Sequence, residues 1–240
     1  MRKSIAAVTF DLWGTLFDGR YSLRSQRCEM LARYLPRYTS RRVGEAYDES
    51  GCRFSHAMEM GFGMRGTTVL SMTLDLLGAT LSPPAYQAVL QGWEEAALED
   101  PPPLFENVSD TLYRLRDAGL LIGLISDTGV TPGRVLRRLL RERELLKAFD
   151  WLTFSDEIGV SKGCSYAFMG TLRALGARAD SALHVGDRPE ADLRGAKKVG
   201  MHTALVLESS AHRDGVAEAD IVLERVCDLP QALSAWEDRR

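Results

Sequence analysis

The stretch Val8-Thr9-Phe10-Asp11-Leu12-Trp13-Gly14-Thr15-Leu16-Phe17-Asp18 decides the fold. An apolar run ends abruptly in a carboxylate, a Gly-Thr turn follows, and a second acid closes the segment. Such a run bounded by turn chemistry reads as a buried strand. The position just past a strand of this kind is where open α/β sheets bind ligands. Asp11 is therefore a candidate site residue on position alone. Trp13, two residues on, stands where a second carboxylate would serve phosphate chemistry best.

Working outward, strand-like and helical segments separate into two regions. No strand-like run appears between residues 20 and 98, where helices are expected over 23–34, 41–58, 67–77 and 83–98. Pro36, Gly61-Phe62-Gly63 and Ser82-Pro83-Pro84 punctuate them. Pro101-Pro102-Pro103 forms a stiff return linker. Beyond it strand and helix alternate. Strands are expected at 121–125, 149–154, 182–185, 202–207 and 221–223, and helices at 108–118, 132–146, 166–175, 189–199 and 229–236. This alternation predicts a parallel sheet with right-handed crossovers, helices on both faces, and an inserted all-helical module.

Composition sets the outer bounds. A chain of 240 residues with 45% hydrophobic and 26% charged content is ordinary for a soluble globular protein. A net charge of −3 supplies no general drive towards nucleic acid or membrane. Cys28, Cys52, Cys164 and Cys227 lack CxxC spacing, which suggests reduced thiols in a cytoplasmic protein. The short apolar N-terminal stretch runs straight into Asp11 and is too short to span a bilayer.

The polar residues fall in a pattern. Asp11, Ser126 and Asp187 each follow an expected parallel strand, and Lys162 lies in the loop after another. All four are expected at one edge of the sheet. Two acids, a hydroxyl, an ammonium and glycine-flanked turns suit a metal and an anion together. Mg²⁺ binds through one or two carboxylates plus substrate phosphate. Asp11 can attack as a nucleophile once the metal and Lys162 neutralise the electrophile. Ser126 and the backbone amide of Asp127 can hold phosphoryl oxygens.

Four segments in order resemble the haloacid dehalogenase superfamily, which consists mostly of phosphatases. They are Asp-Leu-Trp-Gly-Thr-Leu at Asp11, Leu-Ile-Gly-Leu-Ile-Ser ending at Ser126, Gly-Val-Ser-Lys ending at Lys162, and His184 to Ala196 with Gly-Asp at Asp187. The resemblance implies a Rossmann-like, doubly wound core over 1–17 and 103–240, with a helical type-1 cap over 18–102. It implies Asp11 as nucleophile, Ser126 and Lys162 as phosphoryl-binding groups, and Asp11, Asp187 and the Trp13 carbonyl as Mg²⁺ ligands. Thr15 and Asp192 would support them from behind. The substrate would be a small phosphorylated or anionic metabolite, and the protein a monomer or homodimer.

Trp13 departs from that pattern. In the resembled phosphatases an aspartate here protonates the leaving oxygen and then activates water. An indole N–H only donates and does neither. General acid–base catalysis supplies roughly 10²–10⁴-fold. Haloacid dehalogenases also place an aromatic residue here, whereas Gly186-Asp187 departs from their Ser-Asn. Phosphonoacetaldehyde hydrolases use a cap lysine, and no lysine lies between Lys3 and Lys147. Three readings remain: a Mg²⁺-dependent phosphatase, a 2-haloacid dehalogenase-like hydrolase, and a non-catalytic relative that binds a phosphorylated ligand or a protein. His56, Glu59 and Glu94 are candidate replacement proton donors. Of Arg20, Arg24, Arg27, Arg33, Arg37, Arg41, Arg42, Arg53 and Arg65, most are expected on solvated helix faces and one or two to clamp a carboxylate or phosphate of the substrate. Arg53 and Arg65 flank the Gly61-Phe62-Gly63 break, with Met58, Met60, Phe62 and Met64 as a candidate apolar pocket. Asp18-Gly19 and Pro101 to Pro103 are the expected hinges.

Overall fold

The computed structural model describes residues 4–209 and 213–239. Lys3 and the outermost residues of the expected core lie outside them. Six parallel strands form one sheet in the order β3-β2-β1-β4-β5-β6. They are β1 (Ala7–Phe10), β2 (Leu121–Ser126), β3 (Trp151–Phe154), β4 (Ala182–Gly186), β5 (His202–Val206) and β6 (Ile221–Leu223). The four residues of β1 are all buried, as an apolar strand covered on both faces must be. Side chains alternate across it. Val8 and Phe10 pack with α5 (Val108–Asp117), α6 (Gly133–Glu142) and α10 (Leu229–Asp238) through Leu112, Leu136 and Leu229. Ala7 faces α8 (Tyr166–Leu175) and α9 (Gly195–Lys198) through Phe168, Leu172 and Ala196.

The strand order reverses at β1. Phe10 pairs with Leu124 on one side and Val185 on the other. Loops leaving β1 and β4 diverge there, opening the crevice at which such sheets bind ligands. Asp11 leaves β1 into this crevice, with its amide donating to Val185 O at 2.9 Å.

Four helices lie between β1 and α5: α1 (Arg24–Tyr34), α2 (Ser40–Glu59), α3 (Gly66–Leu77) and α4 (Pro83–Glu99). They close on their own apolar cluster, with Leu31, Val43, Phe54, Leu70 and Trp93 at its centre. Local chemistry sets their starts: Ser82 caps α4 by accepting from Ala85 N, and Pro83 and Pro84 follow it.

Three boundaries differ from expectation. The helix expected over 132–146 ends at Glu142, because Glu144 adopts a left-handed φ of 59° and turns the chain towards β3. A short helix, α7 (Ser155–Ile158), follows β3 directly. The helix expected over 189–199 is a wide π-type turn, Pro189–Arg194, before α9. In that turn Asp192 folds back so that its Oδ2 accepts from Arg188 N at 2.9 Å. Widened turns of this kind concentrate at functional sites.

Candidate active site

The strand ends carry a buried polar chain. Thr9 Oγ1 lies 2.8 Å from His184 Nδ1. His184 Nε2 lies 3.2 Å from Asp192 Oδ1, which accepts from Lys162 Nζ at 2.6 Å. The same ammonium donates to Asp11 Oδ1, and Thr15 Oγ1 donates to Asp11 Oδ2 at 3.2 Å. Lys162 is 2% exposed and Asp192 fully buried, so the pairing is shielded from water. The loop holding Lys162 is fixed in turn by Asp127, whose Oδ1 accepts the Lys162 amide at 2.9 Å.

Carboxylate oxygens of Asp11, Asp187 and Asp192 come within 4.8 Å of one another. Burial raises the Asp11 carboxyl to about 6, with Lys162 pulling down and Asp192 pushing up. Burial and the charges of Asp11 and Asp192 push Asp187 up to about 8. Burial works against Asp192 too, but Lys162 and the His184 bond hold it below the usual carboxylate range. Lys162 is held above the usual lysine range by Asp11, Asp192 and Asp127 against the effect of burial. Burial lowers His184. One ammonium thus serves a cluster of acids whose protonation is shifted upward at Asp11 and Asp187. An all-oxygen, charge-deficient site of this kind suits a hard divalent cation such as Mg²⁺.

Gly14 holds the geometry open. Its φ is +83°, and a Cβ there would sit 2.4 Å from Asp187 Oδ2. The turn it makes closes with Gly14 N on Phe17 O at 2.7 Å, and Trp13 packs on Phe17 with ring centroids 5.9 Å apart.

A cavity of about 670 Å³ opens beside this centre. Asp11, Trp13, Asp127 and Lys162 reach its wall. Ser126 closes β2 with its hydroxyl buried and, among the described residues, without a hydrogen-bond partner. Thr15, Asp187 and Asp192 are also buried, close against Asp11. From the helical layer come Tyr21, Leu23, Arg27, Phe54, Met58 and Glu59. Of the three candidate proton donors only Glu59 lines this cavity, 3.7 Å from Arg188. His56 is exposed, and Glu94 is held by Arg134. Arg53 pairs with Glu49 on the surface, and Arg65 is exposed. Met60 and Phe62 are exposed as well, leaving Met58 as the one residue of that cluster on the cavity wall.

The Gly61-Phe62-Gly63 break docks backbone to backbone on the Lys162 loop. Gly63 N donates to Gly159 O at 3.0 Å, and Ser161 N donates to Gly61 O at 3.1 Å. A Cβ on Gly63 would lie 2.2 Å from Ser155 O, so only glycine permits this approach. Thr131 and Arg188 on the cavity wall were not singled out from the sequence, whereas Arg27 is the one of the nine arginines named there that lines the cavity. Arg27 had a readable signal. Leu23, Arg27 and Leu31 are spaced by four, which puts the arginine on the inner face of α1.

The fold and site define an α/β protein with an aspartate–lysine centre at the strand-order reversal, roofed by helices. A family model of haloacid dehalogenase-like hydrolases matches residues 5–200, and the chain belongs to that family. It is 29% identical over 146 residues to a glyceraldehyde 3-phosphate phosphatase of Methanopyrus kandleri, and that match spans 60% of each protein. The fold is shared with a HAD phosphatase from Thermococcus onnurineus (TM-score 0.71, 22% identity, 95% of this chain and 98% of that one). It is also shared with a 2-haloacid dehalogenase from Pseudomonas syringae pv. tomato (TM-score 0.68, 22% identity, 97% and 99%).

Proposed function

We propose that this protein is a Mg²⁺-dependent phosphatase that acts on a small phosphorylated metabolite through an aspartyl-phosphate on Asp11. The observation that carries this reading is Asp11 itself, buried, bonded by Lys162 and Thr15, and lining the cavity. Bonds to both oxygens fix the carboxylate plane, so attack would need little reorganisation. Lys162 offsets negative charge at the nucleophile and at the incoming phosphoryl group. Ser126 Oγ, unpartnered among the described residues, and the Asp127 amide would take phosphoryl oxygens. Asp11, Asp187 and the Trp13 carbonyl would hold the metal, which when bound supplies charge neutralisation to nucleophile and phosphate. Asp192 would act through Lys162 and His184 rather than on the substrate. The division into a core (1–17 and 103–240) and a mobile cap (18–102) belongs to this proposal. So do residence in the cytoplasm, supported by four unpaired cysteines, and a monomeric or homodimeric state. No described helix is long and apolar enough to cross a membrane.

The test is phosphate release from p-nitrophenyl phosphate with Mg²⁺ and with a chelator, in the wild type and Asp11→Asn. Release that needs both Mg²⁺ and Asp11 is expected. No release across a broad phosphate-ester panel would sink the reading. Trp13, half-buried on the cavity wall, favours a second reading. Halide release from a 2-halo acid in chelator would establish dehalogenase-like chemistry instead. Trp13→Asp separates the two. On the phosphatase reading an acid at this position speeds turnover of esters with poor leaving groups, and on the dehalogenase reading it gives no gain.

A further inference from the structure

Arg27 is the one buried arginine among the described residues, 9% exposed, and it lines the same cavity as Asp11 and Lys162. Its partners are all neutral. Nε donates to Trp93 O at 3.0 Å, Nη1 to the Tyr47 hydroxyl at 3.4 Å and Nη2 to Thr131 Oγ1 at 2.8 Å. No carboxylate pairs with it among the described residues. The neighbouring acids are engaged elsewhere: Asp48 with Arg24, and Glu59 with Arg188. A buried charge normally has a partner, because taking it out of water is costly. A guanidinium has five N–H donors, so one on each terminal nitrogen is left over. Trp93 fixes the arrangement from both sides, since its indole Nε1 donates back to Arg27 O at 2.8 Å.

We propose that Arg27 is the seat for a second anionic group on the substrate, a carboxylate or a second phosphoryl group, distinct from the phosphoryl group at Asp11. This inference rests on the phosphatase reading and narrows its substrate to phosphate esters that carry a second anionic group and are short enough for a 670 Å³ cavity. Arginine is suited to the task, because its planar fork matches both oxyanions bidentately. Thr131 and Tyr47 hold the fork in place before the ligand arrives, which lowers the entropy lost on binding.

The experiment compares three esters on the full chain with Mg²⁺: glycerol 3-phosphate, 3-phosphoglycerate and propane-1,3-diol bisphosphate. The first lacks a second anion, and the other two carry a carboxylate and a phosphoryl group. The wild type is expected to favour at least one of the latter by tenfold or more in kcat/KM. Which one it favours identifies the class. Arg27→Gln should lose at least tenfold more on the favoured ester than on glycerol 3-phosphate, chiefly through KM. Arg27→Lys, which keeps the charge and loses the fork, should recover part of the preference and serves if the glutamine variant does not fold. An equal fall on all three esters, or no preference in the wild type, overturns the inference. Calorimetric binding of 3-phosphoglycerate, the bisphosphate and glycerol 3-phosphate to Asp11→Asn is measured in parallel. If no ester is hydrolysed, the phosphatase reading fails. An Arg27-dependent difference in binding then still supports the anion seat, and equal binding refutes it.

Discussion

Asp187→Asn isolates the charge imbalance at the centre of the site. Oxygens of Asp11, Asp187 and Asp192 lie within 4.8 Å of one another, with Lys162 as the bonded cation. Two unit charges at 4.8 Å interact by about 3.5 kcal/mol at an effective dielectric of about 20, and by about 0.9 kcal/mol in water. Asp187 is buried but not sealed, at 9% exposure, so removal of its charge should stabilise the metal-free protein by about 1–3 kcal/mol where it is ionised. For a chain of this size that is about 3–10 °C in Tm. The pH dependence has a definite sign. Asp187 is raised to about 8 and Asp11 to about 6 from an ordinary 3.8, so the folded protein holds more protons than the unfolded chain between those values. Stability of the metal-free wild type therefore falls as pH rises from about 4 towards 8. Asp192 is lowered, and its contribution is lost only in acid, below this window. Binding of Mg²⁺ competes with the same protons, so the Tm gain from Mg²⁺ should grow between pH 5.5 and 8.5. The assay is thermal unfolding across that range in chelator and in Mg²⁺, for wild type and variant. At pH 9 in chelator Asp187→Asn should melt above the wild type, and it should show little response to Mg²⁺. A variant that melts below the wild type there, or gains as much from Mg²⁺, would refute the reasoning.

Lys162→Gln leaves Asp11 and Asp192 buried without their cation, at a cost of about 3–5 kcal/mol measurable by denaturant unfolding, and it should abolish turnover. Gly14→Ala meets a φ of +83° and a carboxylate oxygen 2.4 Å from the new methyl. A loss of about 1–3 kcal/mol from backbone strain is expected, together with a weakened Mg²⁺ response in the same melting assay. Gly63→Ala places a methyl 2.2 Å from Ser155 O, a backbone atom, and should release the loop between α2 and α3 from the Lys162 loop. Faster hydrogen exchange at the Gly63 and Ser161 amides is the expected readout.

Much of the site was legible because strand ends are. Asp11, Ser126 and Asp187 each close or follow an apolar run, and parallel pairing brings such positions to one edge without further information. Lys162 was legible as the lone lysine of its region. The π-type turn at Asp192 was not, because its cause is tertiary: the side chain is drawn in by Lys162, His184 and the Arg188 amide. Arg27 stood among nine arginines in residues 18–102. Its spacing of four with Leu23 and Leu31 puts it on the inner face of α1, but its bonds to Trp93 and Tyr47 come from packing across the helical layer that the spacing does not carry. The Gly61-Phe62-Gly63 break announced a loop. Its landing on Gly159 and Ser161 depends on contacts about 100 residues apart in the chain, which periodicity does not carry.

The acid cluster at the strand ends and the buried arginine on α1 are complementary in kind. Near β1 and β4, Asp11, Asp187 and Asp192 crowd round Lys162, and their shifted protonation reflects a deficit of positive charge. On α1, Arg27 is a cation with no acid beside it among the described residues, a deficit of negative charge. Both open on one cavity, yet they do not neutralise each other, because Arg27 is tied to Trp93, Tyr47 and Thr131. Each deficit costs stability in the empty protein, and such costs persist where a ligand repays them. A divalent cation answers the first and an anionic ligand the second. On the proposed reading this also sets polarity: the phosphoryl group goes to Asp11 with the metal, and the remaining anion goes to Arg27. Trp13 lies on the same cavity wall as Asp11 and offers the leaving oxygen no proton. Substrate choice and leaving-group chemistry would therefore be set by different residues and can be altered separately.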